Sequence, residues 1–367
     1  MAEAIPAPMT GAQNMNVDRL STQVTVTTVT GPMLASELGR TLTHEHLLND
    51  VRAAVLPGSR PGTADLLTAP VDPLNRERLL LEPYSSYDNC TLDSSSDALH
   101  ELRAFANLGG STVVDVTPPG LGRAPRALRA LSEDSGVNVI MGSGWYLERF
   151  EDTLGSIDEL ANALAEEFTA GVSDSIRPGV IGEIGISADF TDGEERALRA
   201  ACRVQVDVGV PLFIHLPGWE RLGRQVLRVV LDEMLVDPSA VVLCHMDPSG
   251  ADSVYQQKIA ERGVWVEFDM IGMPFTYPGE GRSPLVDETE AAIIRLAGQG
   301  HENRLLLSHD LFLKAMLSRH GGHGLGFVSG PFRERLNAAG VDADSILDSN
   351  PSQLFLHAAQ TTKANKK

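Results

Sequence analysis

A single alternation constrains this chain more than anything else in it. Short β-branched runs recur at 111–116, 137–141, 179–184, 210–215, 240–245, 264–268 and 304–308, with longer segments of helical character between them. The segments 156–170 and 194–208 are rich in Ala, Leu, Glu and Arg, with apolar residues three and four apart, the spacing that lines one face of a helix. Gly136, Gly171, Gly209 and Gly263 each precede a run, where a helix C-cap belongs. One earlier run ends in Thr43-His44-Glu45-His46 and brings the set to eight. The runs are nearly continuously apolar, as strands covered on both faces are. A chain of 367 residues is close to the size of a large α/β barrel. The expectation is an α/β fold: a closed parallel (β/α)8 TIM barrel. A doubly wound open sheet is the rival, but it would gather functional residues at one or two switch points and not at many strand ends.

The domain reading is one catalytic barrel over 17–360, a loose tail at 1–16, a polar and basic tail at 361–367, and an insertion at about 49–91. That insertion is rich in Pro, Gly, Leu and Asp and too long for a plain connection, so a partly helical excursion near the site is expected. The segment 270–284 reads as a mobile loop over a pocket. Asp and Glu number 49 against 30 Lys and Arg, for a net charge of -19. Such a surface repels nucleic acid and anionic membranes, which leaves a small-molecule substrate as the expected partner. Even an anionic one is compatible, because metal charge can outweigh the global field. Cys90, Cys202 and Cys244 show no CxxC pairing, so no disulfide framework is expected and Cys202 and Cys244 read as buried thiols. The start, Met1-Ala2-Glu3-Ala4, lacks a basic then apolar pattern, and no run reaches the roughly 18 apolar residues of a membrane span. The expected location is cytoplasmic.

The run ends carry the chemistry. His44 and His46 are two apart on one strand and share a face. Glu183, His215 and His245 end their runs, and Asp310 follows Leu305-Leu306-Leu307-Ser308-His309. A lone histidine at a strand end is more often a hydrogen-bonded structural residue than a ligand. Six such residues in a barrel, however, would meet at its C-terminal mouth. Carboxylate and imidazole ligands without thiolates suit two divalent transition-metal ions, zinc first, with Mn, Co or Fe as alternatives. The expected sets are His44, His46, Glu183 and Asp310 for one ion, and Glu183, His215 and His245 for the other. Glu183 is then the bridge, a hydroxide between the ions the nucleophile, and Asp310 the proton shuttle. Glu45 reads as structural support for the histidines, and His309 as a neighbour outside the ligand set. The candidates for substrate contact are Trp145, Tyr146, Trp219 and Phe268, with Phe275 and Tyr277 beside the last; each has helix-to-barrel packing as its bland alternative. Arg282 or Arg123 could meet a substrate carboxylate. Gly321-Gly322-His323-Gly324 is a weak candidate for anion binding, since it lacks the lysine and hydroxyl of a nucleotide loop.

From about residue 31 to 356 these motifs resemble the phosphotriesterase family of the amidohydrolase superfamily. The resemblance is carried by Gly39-Arg40-Thr41-Leu42-Thr43-His44-Glu45-His46-Leu47, by Val113-Val114-Asp115-Val116-Thr117-Pro118-Pro119-Gly120-Leu121-Gly122-Arg123, by Ile181-Gly182-Glu183-Ile184-Gly185, and by Gly321-Gly322-His323-Gly324 with Asn350-Pro351. It implies a (β/α)8 barrel with a binuclear centre, often zinc, in a homodimer. Glu183 stands where the best-known paraoxon- and lactone-hydrolysing members carry a carboxylated lysine; the phosphotriesterase-related members also use glutamate. The family cleaves lactones, carboxylic amides and phosphotriesters. A lactone is the first expectation, an N-acyl amide the alternative and a phosphotriester third. A metal-binding protein without turnover is disfavoured, because a metal store needs no Asp310 beside an open site.

Overall fold

The computed structural model describes residues 24–151 and 154–365; the tail expected at 1–16 lies outside them. Eight parallel strands form one sheet in sequential order: β1 (Arg40–Glu45), β2 (Gly110–Asp115), β3 (Asn138–Ser143), β4 (Val180–Gly185), β5 (Leu212–His215), β6 (Val241–Leu243), β7 (Trp265–Phe268) and β8 (Leu305–Leu307). The seam between β8 and β1 is closed beyond the strand ends, where Asp310 N donates to His44 O at 3.1 Å and His44 N to Ser308 Oγ at 3.0 Å. The alternation therefore resolves as a (β/α)8 barrel. Gly136 and Gly209 cap the helices Pro125–Ser135 and Asp192–Val208 at φ of 75° and 69°, a left-handed conformation that glycine adopts at little steric cost.

Two apolar layers hold the barrel. Val114, Ile140, Val180, Phe213, Val242, Trp265 and Leu306 fill its interior, together with Leu354, Phe355 and Leu356 of the terminal helix Ala343–Asn365. Leu42, Val113, Val139, Ile181, Leu243, Val266 and Phe268 belong to the outer layer, packed with the helices. Asn350 Nδ2 donates to the carbonyls of Glu302 and Leu305 at 2.9 and 2.8 Å and so ties the terminal helix to β8. That helix continues to Asn365, through residues read from sequence as tail.

The insertion leaves β1 through Asn49–Asp50, which pairs antiparallel with Thr91–Leu92. Between them lie short 3-10 turns and the helix Arg76–Leu81. After β7, Thr276–Tyr277 and Gly281–Arg282 form a small hairpin. All three cysteines are buried free thiols. No described helix is long and apolar enough to cross a membrane.

Candidate metal centre

The strands carrying His44, His46 and Glu183 break their ladders next to the site. β1 slips against β2 between Leu42 and Glu45, and β4 slips against β5 between Ile181 and Ile184. A bulge of this kind re-aims the following side chains. Leu42 and Ile181 belong to the outer layer, whereas His44 and Glu183 enter the mouth. His245 and Asp310 have φ of 57° and 49°, a region that non-glycine residues occupy at some cost and often at functional sites.

The six expected residues converge. Glu183 reaches both histidine sets. Its Oε1 lies 3.5 Å from His46 Nε2; its Oε2 lies 3.0 Å from His215 Nδ1, 3.5 Å from His245 Nε2 and 3.7 Å from His44 Nε2. Asp310 Oδ1 is 3.2 Å from His46 Nε2 and 3.7 Å from His44 Nε2. Ligand atoms sharing one tetrahedral zinc lie about 3.4 Å apart, so these spacings suit a common ion on each side. His44 Nε2 is buried with no hydrogen-bond partner, an orphan that an ion would satisfy. The residues present thus fit a pair of divalent ions.

Three groups that the run ends did not reveal set the histidines. His44 Nδ1 faces Glu267 Oε2 at 3.2 Å and Asp269 Oδ2 at 3.3 Å. His245 Nδ1 faces Asp269 Oδ1 at 2.9 Å, and His46 Nδ1 faces Thr117 Oγ1 at 2.9 Å. Carboxylates at Nδ1 hold the N–H there and leave Nε2 as the ligand atom. Asp247 in turn accepts from the amides of Asp269 and Met270 at 3.0 and 3.1 Å. Cys244 belongs to the same buried cluster, but burial and the nearby Glu267 and Asp269 push its thiol well above its ordinary pKa, so it offers no thiolate. Glu45 supports the closing strand: its Oε1 accepts from Ser308 Oγ, His309 N and His309 Nδ1, and its Oε2 from Leu311 N. His309 Nε2 accepts from Val328 N at 3.0 Å, so both ring nitrogens are engaged away from the centre.

The electrostatics mark a site with surplus negative charge. Burial opposes a proton on His44, yet Asp269, Glu267 and Glu183 raise its pKa to about 10. His245 is likewise buried, and Asp269 and Glu183 raise it well above the ordinary value. Burial works against ionised Glu183, but His215, His245 and His44 hold it well below the usual carboxylate range. Protons here occupy positions that cations would take, and metal binding would release them.

Above the cluster lies a cleft of about 720 Å³, open mouth included. Tyr146 and Trp219 line it, with Tyr84, Phe150, Met270, Met273, Tyr277 and Phe312. Trp219 packs so closely on the hairpin that a Cβ on Gly281 would come within 2.1 Å of its Nε1. The loop after β7 therefore forms one wall, as expected, while the insertion contributes Tyr84. Other candidates sit elsewhere. Phe268 is fully buried in the outer layer, because it alternates with inward-facing Glu267. Trp145 is half-buried against the same layer and is not among the residues lining the cleft. Arg282 is exposed and forks onto Glu288 at 3.0 and 2.9 Å. Arg123 is buried in a pair with Glu167 at 2.7 and 2.9 Å, which removes it from substrate. His323 stacks on Phe327, with centroids 4.1 Å apart. Among the described residues, Arg149 is the cation lining the cleft, and no strand-end pattern announces it.

Barrel and site together define a metal-dependent hydrolase of the amidohydrolase type. The chain belongs to the Phosphotriesterase family, whose sequence profile matches residues 24–355. It is 31% identical over 339 residues to the N-acetyltaurine hydrolase of Salmo salar, covering 89% of this chain and 97% of that one. A resiniferatoxin-binding protein from Rhodobacter sphaeroides superposes with a TM-score of 0.88 at 42% identity, over 91% of this chain and 96% of that one. A mutant PTE-like lactonase from Deinococcus radiodurans superposes with a TM-score of 0.70 at 28% identity, over 90% and 99%.

Proposed function

We propose that this chain hydrolyses a carboxylic amide of the N-acyl type, with an acid group on the amine half. The observation that carries the reading is the division of Glu183 between two histidine sets beneath a cleft holding one arginine. His44, His46, Glu183 and Asp310 would hold one divalent ion, and Glu183, His215 and His245 the other. Such ions, when bound, supply Lewis acidity toward the carbonyl oxygen and acidify a water to near neutral pH. Glu183 keeps the pair together. Asp310 faces the cleft and takes the proton of the attacking water, then returns it to the departing nitrogen. An amine is a poor leaving group unless protonated as the C–N bond breaks, so a carboxylate that moves a proton suits an amide. Tyr146 and Trp219 wall the acyl and amine halves, and Arg149 meets the acid group.

Near-full-length similarity to N-acetyltaurine hydrolases supports the amide over the lactone that the family resemblance put first. A lactone stays as the second reading, on the likeness to the Deinococcus enzyme. Zinc as resident metal and a cytoplasmic homodimer complete the proposal; elemental analysis and light scattering test the metal and the dimer. The deciding assay presents metal-loaded protein with N-acetyltaurine, γ-lactones and a phosphotriester, with Asp310→Asn as control. Turnover of the amide, lost in the control, is expected. Turnover of lactones with none of the amide would overturn the reading.

A further inference from the structure

The cleft does not end at its aromatic walls. A second chamber of about 680 Å³ adjoins it, and Tyr84, Arg149 and Glu280 line both. One side of the outer chamber is the insertion after β1, through Ala54, Leu56 and Pro57; the other is Pro278 in the hairpin loop after β7. Leu56 is 70% exposed, an apolar lip at the entrance. Below, Glu82 Oε1 accepts from Ser59 N, Ser59 Oγ and Arg60 N, while its Oε2 is buried without a hydrogen-bond partner. At the neck, the Arg149 guanidinium stands over the Phe150 ring, 5.3 Å from its centroid. Tyr84 is braced there by Tyr277 and Phe312, with centroids 5.6 and 6.4 Å away.

We propose that the outer chamber is a side-chain subsite: the acid group of the amine half pairs with Arg149 at the neck, and an apolar chain or ring on that half lies between Ala54, Leu56 and Pro278. The substrate class is then an N-acyl amino acid with a large apolar side chain. Among the described residues, Arg149 is the cation that lines both cavities, with Glu280 near it at the neck, and the walls beyond set Ala54, Leu56, Pro57 and Pro278 beside Ser59, Glu82 and Ser85. This subsite rests on the amide reading for its chemistry but on the joined cavities for its existence.

The test pairs N-acetylglycine with N-acetylphenylalanine. The wild type should favour the phenylalanine compound by at least about tenfold in kcat/KM, the scale on which apolar pockets discriminate. Ala54→Trp, which fills the chamber, should remove that preference through KM and leave N-acetylglycine turnover within about twofold. Leu56→Asp, at an exposed position that folding tolerates, should weaken it in the same sense. Binding of both compounds to metal-loaded Asp310→Asn is measured by calorimetry, so that the chamber is read without turnover. A side-chain preference that survives both variants, or equal losses on both compounds, overturns the subsite and leaves the amidase. No hydrolysis, with Ala54-dependent binding of the phenylalanine compound, overturns the amidase and leaves the subsite. Neither hydrolysis nor binding overturns both.

Discussion

Asp269 is the group through which the two halves of the metal centre are joined from behind, and Asp269→Asn isolates that role. The carboxylate is fully buried. It accepts from His245 N at 2.9 and 3.1 Å, meets His245 Nδ1 at 2.9 Å, and lies 3.3 Å from His44 Nδ1. Asparagine fills the same volume with one acceptor and one donor. Its carbonyl can still face His245, but its amide then points N–H groups at the N–H of His44. That clash favours the other tautomer, which puts a proton on Nε2 where a metal should be. Loss of a carboxylate behind a ligating histidine costs about 10–100-fold in metal affinity, or about 1.4–2.8 kcal/mol at 1.4 kcal/mol per decade. Because Asp269 touches one histidine from each set, both ions should weaken. Thr117→Val is the control. It removes one neutral partner, Thr117 Oγ1 at 2.9 Å from His46 Nδ1, and should weaken the first ion alone, by about 0.5–1.5 kcal/mol. Competition against a chelator, read by elemental analysis, gives both affinities. Wild-type affinity for both ions in folded Asp269→Asn would refute the coupling, and a loss confined to one ion would show that Asp269 serves that half only.

Three further expectations use the same centre. Glu183→Gln keeps the shape but removes the charge between the histidine sets; the protein should stay folded and lose at least one ion and most turnover, and unchanged metal content and turnover would end the bridging role. Asp310→Asn should lower kcat about 10²–10⁴-fold with a smaller loss of metal than a histidine variant shows, and near-normal kcat in the metal-replete variant would leave Asp310 as a ligand only. In metal-free protein His44 is raised from 6.5 to about 10, so its stabilising contribution is full below about pH 6.5 and is lost as pH rises through 10. The Tm of metal-free protein should therefore fall across that window, more than that of the metal-loaded form, and a flat profile would contradict the charge balance drawn for the site.

The barrel was legible because the strands are short apolar runs, most of them with β-branched residues, that must be buried on both sides, and the ligands were legible because they stand at the ends of those runs. Glu267 and Asp269 were passed over although they carry a usable signal. In Trp265-Val266-Glu267-Phe268-Asp269 the two acids are two apart and so share a face with inward-facing Trp265. An acidic pair on the inner face of an apolar strand is costly unless it has partners, which makes it informative once the strand is recognised. The same period explains why Phe268 went to the core: being aromatic at a run end is not enough when its neighbours already claim the inner face. Arg149 and Tyr84 had no such signal. Their place depends on how a long connection folds back over the mouth, and that path is set by packing among loops, not by local pattern.

The insertion links these levels. Its return strand, Thr91–Leu92, pairs with Asn49–Asp50 next to β1, so the segment between must arch over the mouth. Asn89 holds that arch to the loop after β8, the strand next to β1: its Oδ1 accepts from Ala315 N at 2.9 Å, and its Nδ2 donates to Pro83 O at 2.8 Å. Pro83 adjoins Tyr84, and Tyr84 stands at the neck between the chambers. The candidate metal ligands are thus fixed at strand ends, where a small displacement would be costly to catalysis, while the residues proposed to meet the substrate ride on connections free to vary in length. A chain built this way can keep Glu183, Asp310 and the four histidines in place while the insertion at 49–91 and the loop after β3 vary, which is why substrate preference is to be tested at Tyr84, Arg149 and the wall beyond them.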